Sequence, residues 1–288
     1  MIQAIPLRRL LFVFAVVAGC AGQSAEAASC VWKITSPSGG TVFLGGSIHA
    51  LRTTDYPLPG AYQRAFDSSS RLVFETEPKS MEAASKGLEK AGHYGKGDSL
   101  TSHVDPRTYA YVKRYFALVG VPEQKFNTYR PWLIAAMLEA APKQNFMLGV
   151  ERYFQKKAEG AHKPIESLES IQEHMAPFVG LNERESEALL LIHFINLGRT
   201  DLSHSDMMGP WRRGDADSLA RQLHDVYRDF PAFADRLLGQ RNRRWIPRIE
   251  GYMKSGQVYF VIAGAGHMGG SDGVVTLLRG RGYTVEQL

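Results

Sequence analysis

Hydrophobic and polar positions along the chain change period three times. Val31 to Thr35 and Thr41 to Leu44 are apolar and β-branched, and the turn formers Ser36-Pro37-Ser38-Gly39-Gly40 separate them. This pattern predicts a β-hairpin. Leu58 to Ser68 reads as a helix, Arg71 to Phe74 as a short strand, and Pro78 ends the extended pattern. From Met81 to Met253 the period is helical. Asp105 before Pro106 predicts a capped helix to Leu118. Further helices are expected over Pro131–Ala141, Val150–Glu159, Leu168–Phe178, Glu183–Leu197 after an Asn182 cap, Asp215–Tyr227 and Arg241–Met253. Gln257 to Ala263 is a strongly apolar strand, Val274 to Arg279 a helix, and Tyr283 to Glu286 a closing strand. Strands, then helices, then strands again give an α/β (α+β) fold. Its central sheet is built from the N- and C-terminal strands, and a helical lobe is inserted at roughly residues 80–250. No low-complexity linker divides 29–288, which reads as one unit.

Residues 1–28 read as a leader. Arg8 and Arg9 precede the apolar run Leu10 to Ala18, which is too short to span a membrane. Two processing readings stand. Ala25-Glu26-Ala27 fits an ordinary signal peptidase, and Val17-Ala18-Gly19-Cys20 resembles a lipobox that would acylate Cys20. Either places the body in a periplasm or cell envelope, with membrane contact only through an N-terminal lipid. Cys30 is then a lone thiol in an oxidising compartment, expected at a buried or fraying position.

Composition narrows the function. With 44% hydrophobic and 22% charged residues the chain is not a disordered one. The net charge of +5 is scattered, with no basic run, which argues against nucleic acid as a partner. No Gly-x-Ser-x-Gly elbow is present, which disfavours an esterase triad. Gly264-x-Gly266-x-x-Gly269 matches the dinucleotide pattern, but no βαβ unit with an acidic ribose ligand follows it.

The chemistry-bearing feature is a repeat. Phe43-Leu44-Gly45-Gly46-Ser47-Ile48-His49 and Phe260-Val261-Ile262-Ala263-Gly264-Ala265-Gly266-His267 are both apolar strands running into Gly-x-x-His. Glycine at each strand end is expected to let the backbone turn sharply and project the histidine. A third strand ends in Glu75. Strand C-termini are where open α/β sheets gather ligands. Two imidazoles and a carboxylate suit a divalent cation with an open position for water. Acid–base work would need another carboxylate, and Glu77, Glu151 and Glu169 are candidates, Glu77 on condition that the strand continues to it. The bland alternative is that His49 and His267 are structural histidines bonded to backbone.

These residues resemble the TraB/PrgY/GumN family, in its bacterial GumN-like branch. The resemblance rests on Gly46-Ser47-Ile48-His49, Leu72-Val73-Phe74-Glu75-Thr76-Glu77, Gly149-Val150-Glu151, Leu168-Glu169 with Gln172, Trp211 with Gly214-Asp215, Arg241-Asn242 with Trp245, and Gly264-Ala265-Gly266-His267. It covers about Trp32 to Leu288. The family includes the animal Tiki proteins, metal-dependent proteases built on two Gly-x-x-His motifs and a glutamate. By that resemblance His49, Glu75 and His267 hold a divalent ion (manganese, cobalt or zinc), and the activity is a hydrolase acting on a peptide or small molecule. Arg241 or Asn242 would then stabilise a developing oxyanion. The competing structural reading puts Trp245 in the core and the arginines in solvent. Trp211 reads as a packed helix start with Asp215 as a cap, and the remaining histidines, including His174 and His193, carry no ligand spacing. A non-catalytic envelope protein that binds a peptide or glycan in the same cleft is the alternative function, and a partner-docking helical lobe a third.

Overall fold

The structure, a computed structural model, describes residues 28–139, 148–196 and 204–288. The leader through Ala27, including Cys20, lies outside the described residues, as do the last positions of the helices expected to reach Ala141 and Leu197.

The expected central sheet has six strands: β1 (Val31–Thr35), β2 (Thr41–Ser47), β3 (Arg71–Phe74), β4 (Ile165–Ser167), β5 (Tyr259–Gly264) and β6 (Thr284–Gln287). Their order is β4-β3-β5-β2-β1-β6. β4, β3, β5 and β2 are mutually parallel, whereas β1 runs antiparallel to both β2 and β6. The C-terminal ends of the four parallel strands therefore share one rim.

The helices are α1 (Gly60–Asp67), α2 (Pro78–Ala91), α3 (Pro106–Leu118), α4 (Glu123–Phe126), α5 (Pro131–Glu139), α6 (Val150–Gly160), α7 (Ile171–Val179), α8 (Glu183–Asn196), α9 (His204–Arg212), α10 (Ala216–Val226), α11 (Pro231–Ala234), α12 (Gln240–Lys254) and α13 (Val274–Gly280). Successive strand residues face opposite sides, and this sorts the helices. Phe260 meets Tyr62 of α1 and Phe154 of α6, with ring centroids 6.5 and 5.5 Å apart. Its neighbour Tyr259 stacks on Tyr252 of α12 at 4.5 Å. α1 and α6 thus cover one face and α12 the other.

The inserted stretch divides in two. Phe154, Trp211, Leu219 and Trp245 join the core around the sheet. A separate cluster with Phe116, Phe126, Ile134 and Leu190 holds α3, α4, α5 and α8 together as the lobe. Asp105 and Asp215 cap α3 and α10, accepting from Arg107 N at 2.8 Å and Ser218 N at 3.0 Å. Cys30 is buried, and that burial pushes its thiol up to about 12.

Three expectations change. First, the insertion contributes a strand. β4 has no alternating pattern of its own and exists because Ile165 to Ser167 pair with Leu72 to Phe74. The helix expected from Leu168 begins instead at Ile171, behind a capping box in which Ser170 N donates to Glu173 at 2.7 Å and Glu173 N to Ser170 Oγ at 3.2 Å. Second, β2 runs through Gly45 and Gly46 to Ser47. Those glycines permit close packing and not a sharp turn: a Cβ on Gly45 would lie 2.8 Å from the Phe260 ring, and one on Gly46 3.1 Å from Ala265 Cα. Third, Trp211 sits in the last turn of α9, not at a helix start, and its indole N–H donates to Gly46 O at 2.7 Å.

Candidate metal centre

β3 stops at Phe74, which puts Glu75 on the rim, only 9% exposed. Its two oxygens face different ways. Oε1 accepts from Gly264 N at 2.7 Å, at the end of the neighbouring strand β5. Oε2 accepts from Arg241 Nη2. Burial alone would raise the Glu75 pKa, but Arg241 together with the surrounding histidines outweighs it and holds the carboxyl well below its usual range.

His267 follows β5 after one short turn and is buried. Its Nδ1 lies 2.6 Å from Asn242 Oδ1, and Asn242 Nδ2 donates to Asp272 O at 2.9 Å, which fixes the amide's orientation. Arg241 Nη1 is 3.2 Å from His267 Nε2. A guanidinium can only donate, so Nε2 is the acceptor and Nδ1 carries the proton. Burial, reinforced by Arg241, lowers the His267 pKa to about 3, so the ring is neutral.

His49 lies two residues beyond β2, with its side chain 63% exposed. Its Nδ1 is 2.7 Å from Glu151 Oε1, and the Ser47 hydroxyl donates to the same oxygen. Burial raises the Glu151 pKa, but His49 and Ser47 reverse this and leave it lowered. Glu151 reaches His49 because α6 starts directly against the motif. Val150 N donates to Ile48 O at 3.1 Å, and a Cβ on Gly149 would strike His49 O at 2.1 Å.

The three groups border Gly264, although their ligand atoms do not all lie within 4.8 Å of one another. A Cβ built there would be 3.3 Å from Glu75 Oε1, 3.5 Å from His267 Cδ2 and 3.7 Å from His49 Nε2. Glycine keeps that point open. His267 Nε2 and Glu75 Oε1 are 4.0 Å apart, a span that two bonds of about 2.0–2.2 Å to one cation can bridge.

A model of the TraB/PrgY/gumN family matches residues 30–287. The chain belongs to this family. Among curated proteins, "Metalloprotease TIKI2" of Danio rerio is 22% identical over 302 residues, covering 85% of this chain and 58% of that relative. The chain thus spans little more than half of the relative's length.

Other residues of this TraB/PrgY/gumN chain sit differently from expectation. The condition attached to Glu77 fails: β3 has already ended, and Glu77 precedes α2 and accepts from Ser80 Oγ at 3.1 Å. Arg241 is buried, not solvated, while Arg248 stays near the surface and pairs with Glu173 at 3.0 Å. Asn242 spends both ends of its amide on His267 and Asp272. Trp245 is core, as the structural reading has it, yet its Nε1 donates to Glu169 at 3.1 Å. His193 Nδ1 bonds Leu189 O at 2.9 Å within its own helix.

Glu169, weighed for proton work, is buried beside Arg241. His174, assigned no chemistry from the sequence, joins it with Nδ1 2.7 Å from Glu169 Oε1. The strand β4 explains both. Leu168 N donates to Phe74 O at 2.8 Å and Glu169 N to Glu75 O at 3.0 Å, extending the pairing past Ser167 and laying Glu169 beside Glu75.

Ligand atoms of Glu75, Glu169 and His174 lie within 4.8 Å of one another, so this second group could also attract a cation. It already has one. Arg241 Nη2 donates to both Glu75 and Glu169 and lies 3.0 Å from His174 Nδ1. A metal ion there would have to displace a buried guanidinium. At the opening by Gly264 the same guanidinium makes one contact, Arg241 Nη1 donating to His267 Nε2 at 3.2 Å, which a metal on that nitrogen would replace. The donor types at this opening, two imidazole nitrogens and a carboxylate oxygen, suit a divalent metal.

Proposed function

We propose that this protein is an exported, metal-dependent hydrolase that cleaves peptides in the cell envelope, with His49, Glu75 and His267 as ligands. The observation that carries the reading is that Glu75 Oε1, His267 and His49 Nε2 all border the open point at Gly264. Each ring also presents Nε2 because an acceptor holds its Nδ1. Family membership and the metalloprotease relative support it. The leader sequence supports export.

A divalent ion bound there supplies Lewis acidity, bringing the pKa of water from about 15.7 toward 7 and polarising the carbonyl under attack. The protein's own groups do the rest. Arg241 binds Glu75 Oε2, so Oε1 is the oxygen turned to the opening. Burial keeps His267 neutral, so its Nε2 lone pair, which accepts from Arg241 Nη1, could turn to a metal instead. His49, mostly exposed, marks the side from which substrate enters. Proton work falls to Glu169, whose carboxylate accepts from His174 Nδ1 at 2.7 Å.

The test is cleavage of a broad quenched-fluorescent peptide panel by the purified mature protein. The protein is stripped with a chelator and then reloaded separately with manganese, cobalt or zinc. Activity lost on chelation and restored by at least one ion is the expected result. Full activity after chelation, or in the His49→Ala, His267→Ala double variant, refutes the proposal.

A further inference from the structure

The two segments that hold the His49–Glu151 pair continue past it and wall a cavity of about 530 Å³. Thr53 and Tyr56 come from the chain after His49, and Leu148, Tyr153, Lys156 and Lys157 flank Glu151 on the other segment. The walls are mainly apolar. The Tyr56 and Tyr153 rings lie 5.6 Å apart at a tilt of 48°, and Tyr56 O–H donates to Leu148 O at 2.7 Å, which pins the two segments together. That bond uses the donor of the Tyr56 phenol.

The rim is cationic. The Lys157 ammonium donates to Gln63 and lies 5.3 Å from the centre of the Tyr153 ring. Lys156 is exposed and makes no ion pair among the described residues. Large apolar walls beside an uncommitted ammonium select a ligand that is apolar at one point and anionic at the next. The cavity is joined to the exposed His49 through the chain that runs from it to Thr53 and Tyr56.

We propose that this cavity is the substrate-selecting subsite. It accepts an aromatic or large aliphatic side chain of a peptide, and Lys156 engages an acidic side chain next to it. The inference rests on the peptidase reading and names its substrate class.

The test uses full-length mature protein and peptides identical except for one dipeptide, Phe-Glu, Leu-Glu, Phe-Lys or Ala-Glu. We expect kcat/KM for Phe-Glu and Leu-Glu to exceed that for Ala-Glu by about tenfold or more, the scale on which apolar pockets discriminate. Tyr153→Ala should collapse that ratio toward one. Lys156→Glu, a surface change that leaves the core intact, should invert the preference between Phe-Glu and Phe-Lys. Cleavage of all peptides with neither ratio altered by its variant overturns the subsite while leaving the hydrolase intact. If no peptide is cleaved, the hydrolase reading fails, and NMR titration with the Phe-Glu peptide decides the subsite alone. Saturable shifts weakened by Lys156→Glu uphold it, and an absence of saturable shifts overturns it.

Discussion

The two Gly-x-x-His segments leave adjacent parallel strands at the same rim and end in opposite surroundings. His267 is buried, held by an amide that is itself tied to backbone, and backed by Arg241 and Trp245, whose ring lies 4.5 Å from its own. His49 is mostly exposed and held by a carboxylate at the start of α6. Both rings turn Nε2 inward, by different means. One position is fixed by packing and a neutral acceptor. The other is held by a charged acceptor at the edge of solvent.

The largest effect that would break this contrast lies behind His267. Arg241→Met leaves Glu75 and Glu169 buried without their cation, and should cost about 3–5 kcal/mol in a urea unfolding titration. A loss under about 1 kcal/mol would mean that the guanidinium does not hold the two carboxylates.

Next come the two acceptors. Asn242→Ala should weaken metal affinity by about 10–100-fold, measured by competition with a chelating dye, because a buried ring loses the acceptor that sets its tautomer. Glu151→Ala should cost less than about tenfold, because water can replace the lost acceptor at an exposed ring. A larger loss from Glu151→Ala would invert the comparison.

Smaller still are the pH effects. His267 stays neutral when folded, with its pKa lowered from 6.5 to about 3. The unfolded chain therefore binds the extra proton first. The stability from this group is complete above about pH 6.5 and declines as pH falls toward 3. His103, in the lobe, has the opposite sign. Burial lowers its pKa, but hydrogen bonds to Asp98, at 2.8 Å, and Glu183 prevail and raise it above 6.5. Its contribution is complete below 6.5 and is lost as pH rises through the raised value. Thermal melts across pH should lose the acid-side slope in His267→Gln and the shallower alkaline-side slope in His103→Gln. Unchanged slopes would contradict both assignments.

Much of the rim was legible in the sequence because three of its strands announce themselves. β2, β3 and β5 are apolar runs that end in a histidine motif or in Glu75, and parallel order alone brings such ends together. The fourth was not legible. Ile165-Glu166-Ser167 is too short to show a period, so nothing in the sequence aligned Glu169 with Glu75, or brought His174 to Glu169. For Arg241 two readings stood, one at the site and one in solvent, and the side chain lies buried beside Glu75. Its charge suggested solvent on a helix of many arginines, and only the presence of two carboxylates inside makes a buried guanidinium affordable. Glu77 failed on a boundary: period-2 reasoning was sound, but the strand ended before it could apply.

The central claim is that His49, Glu75 and His267 jointly hold one cation. Metal content of the purified mature protein, measured by mass spectrometry after equilibration with manganese and gel filtration, tests it most directly when run beside His49→Ala, Glu75→Gln and His267→Ala. The account predicts about one ion per chain in the parent and a large loss in each variant whose far-UV spectrum remains that of the folded protein. Retention of a full equivalent by all three folded variants would place the ion elsewhere and contradict it.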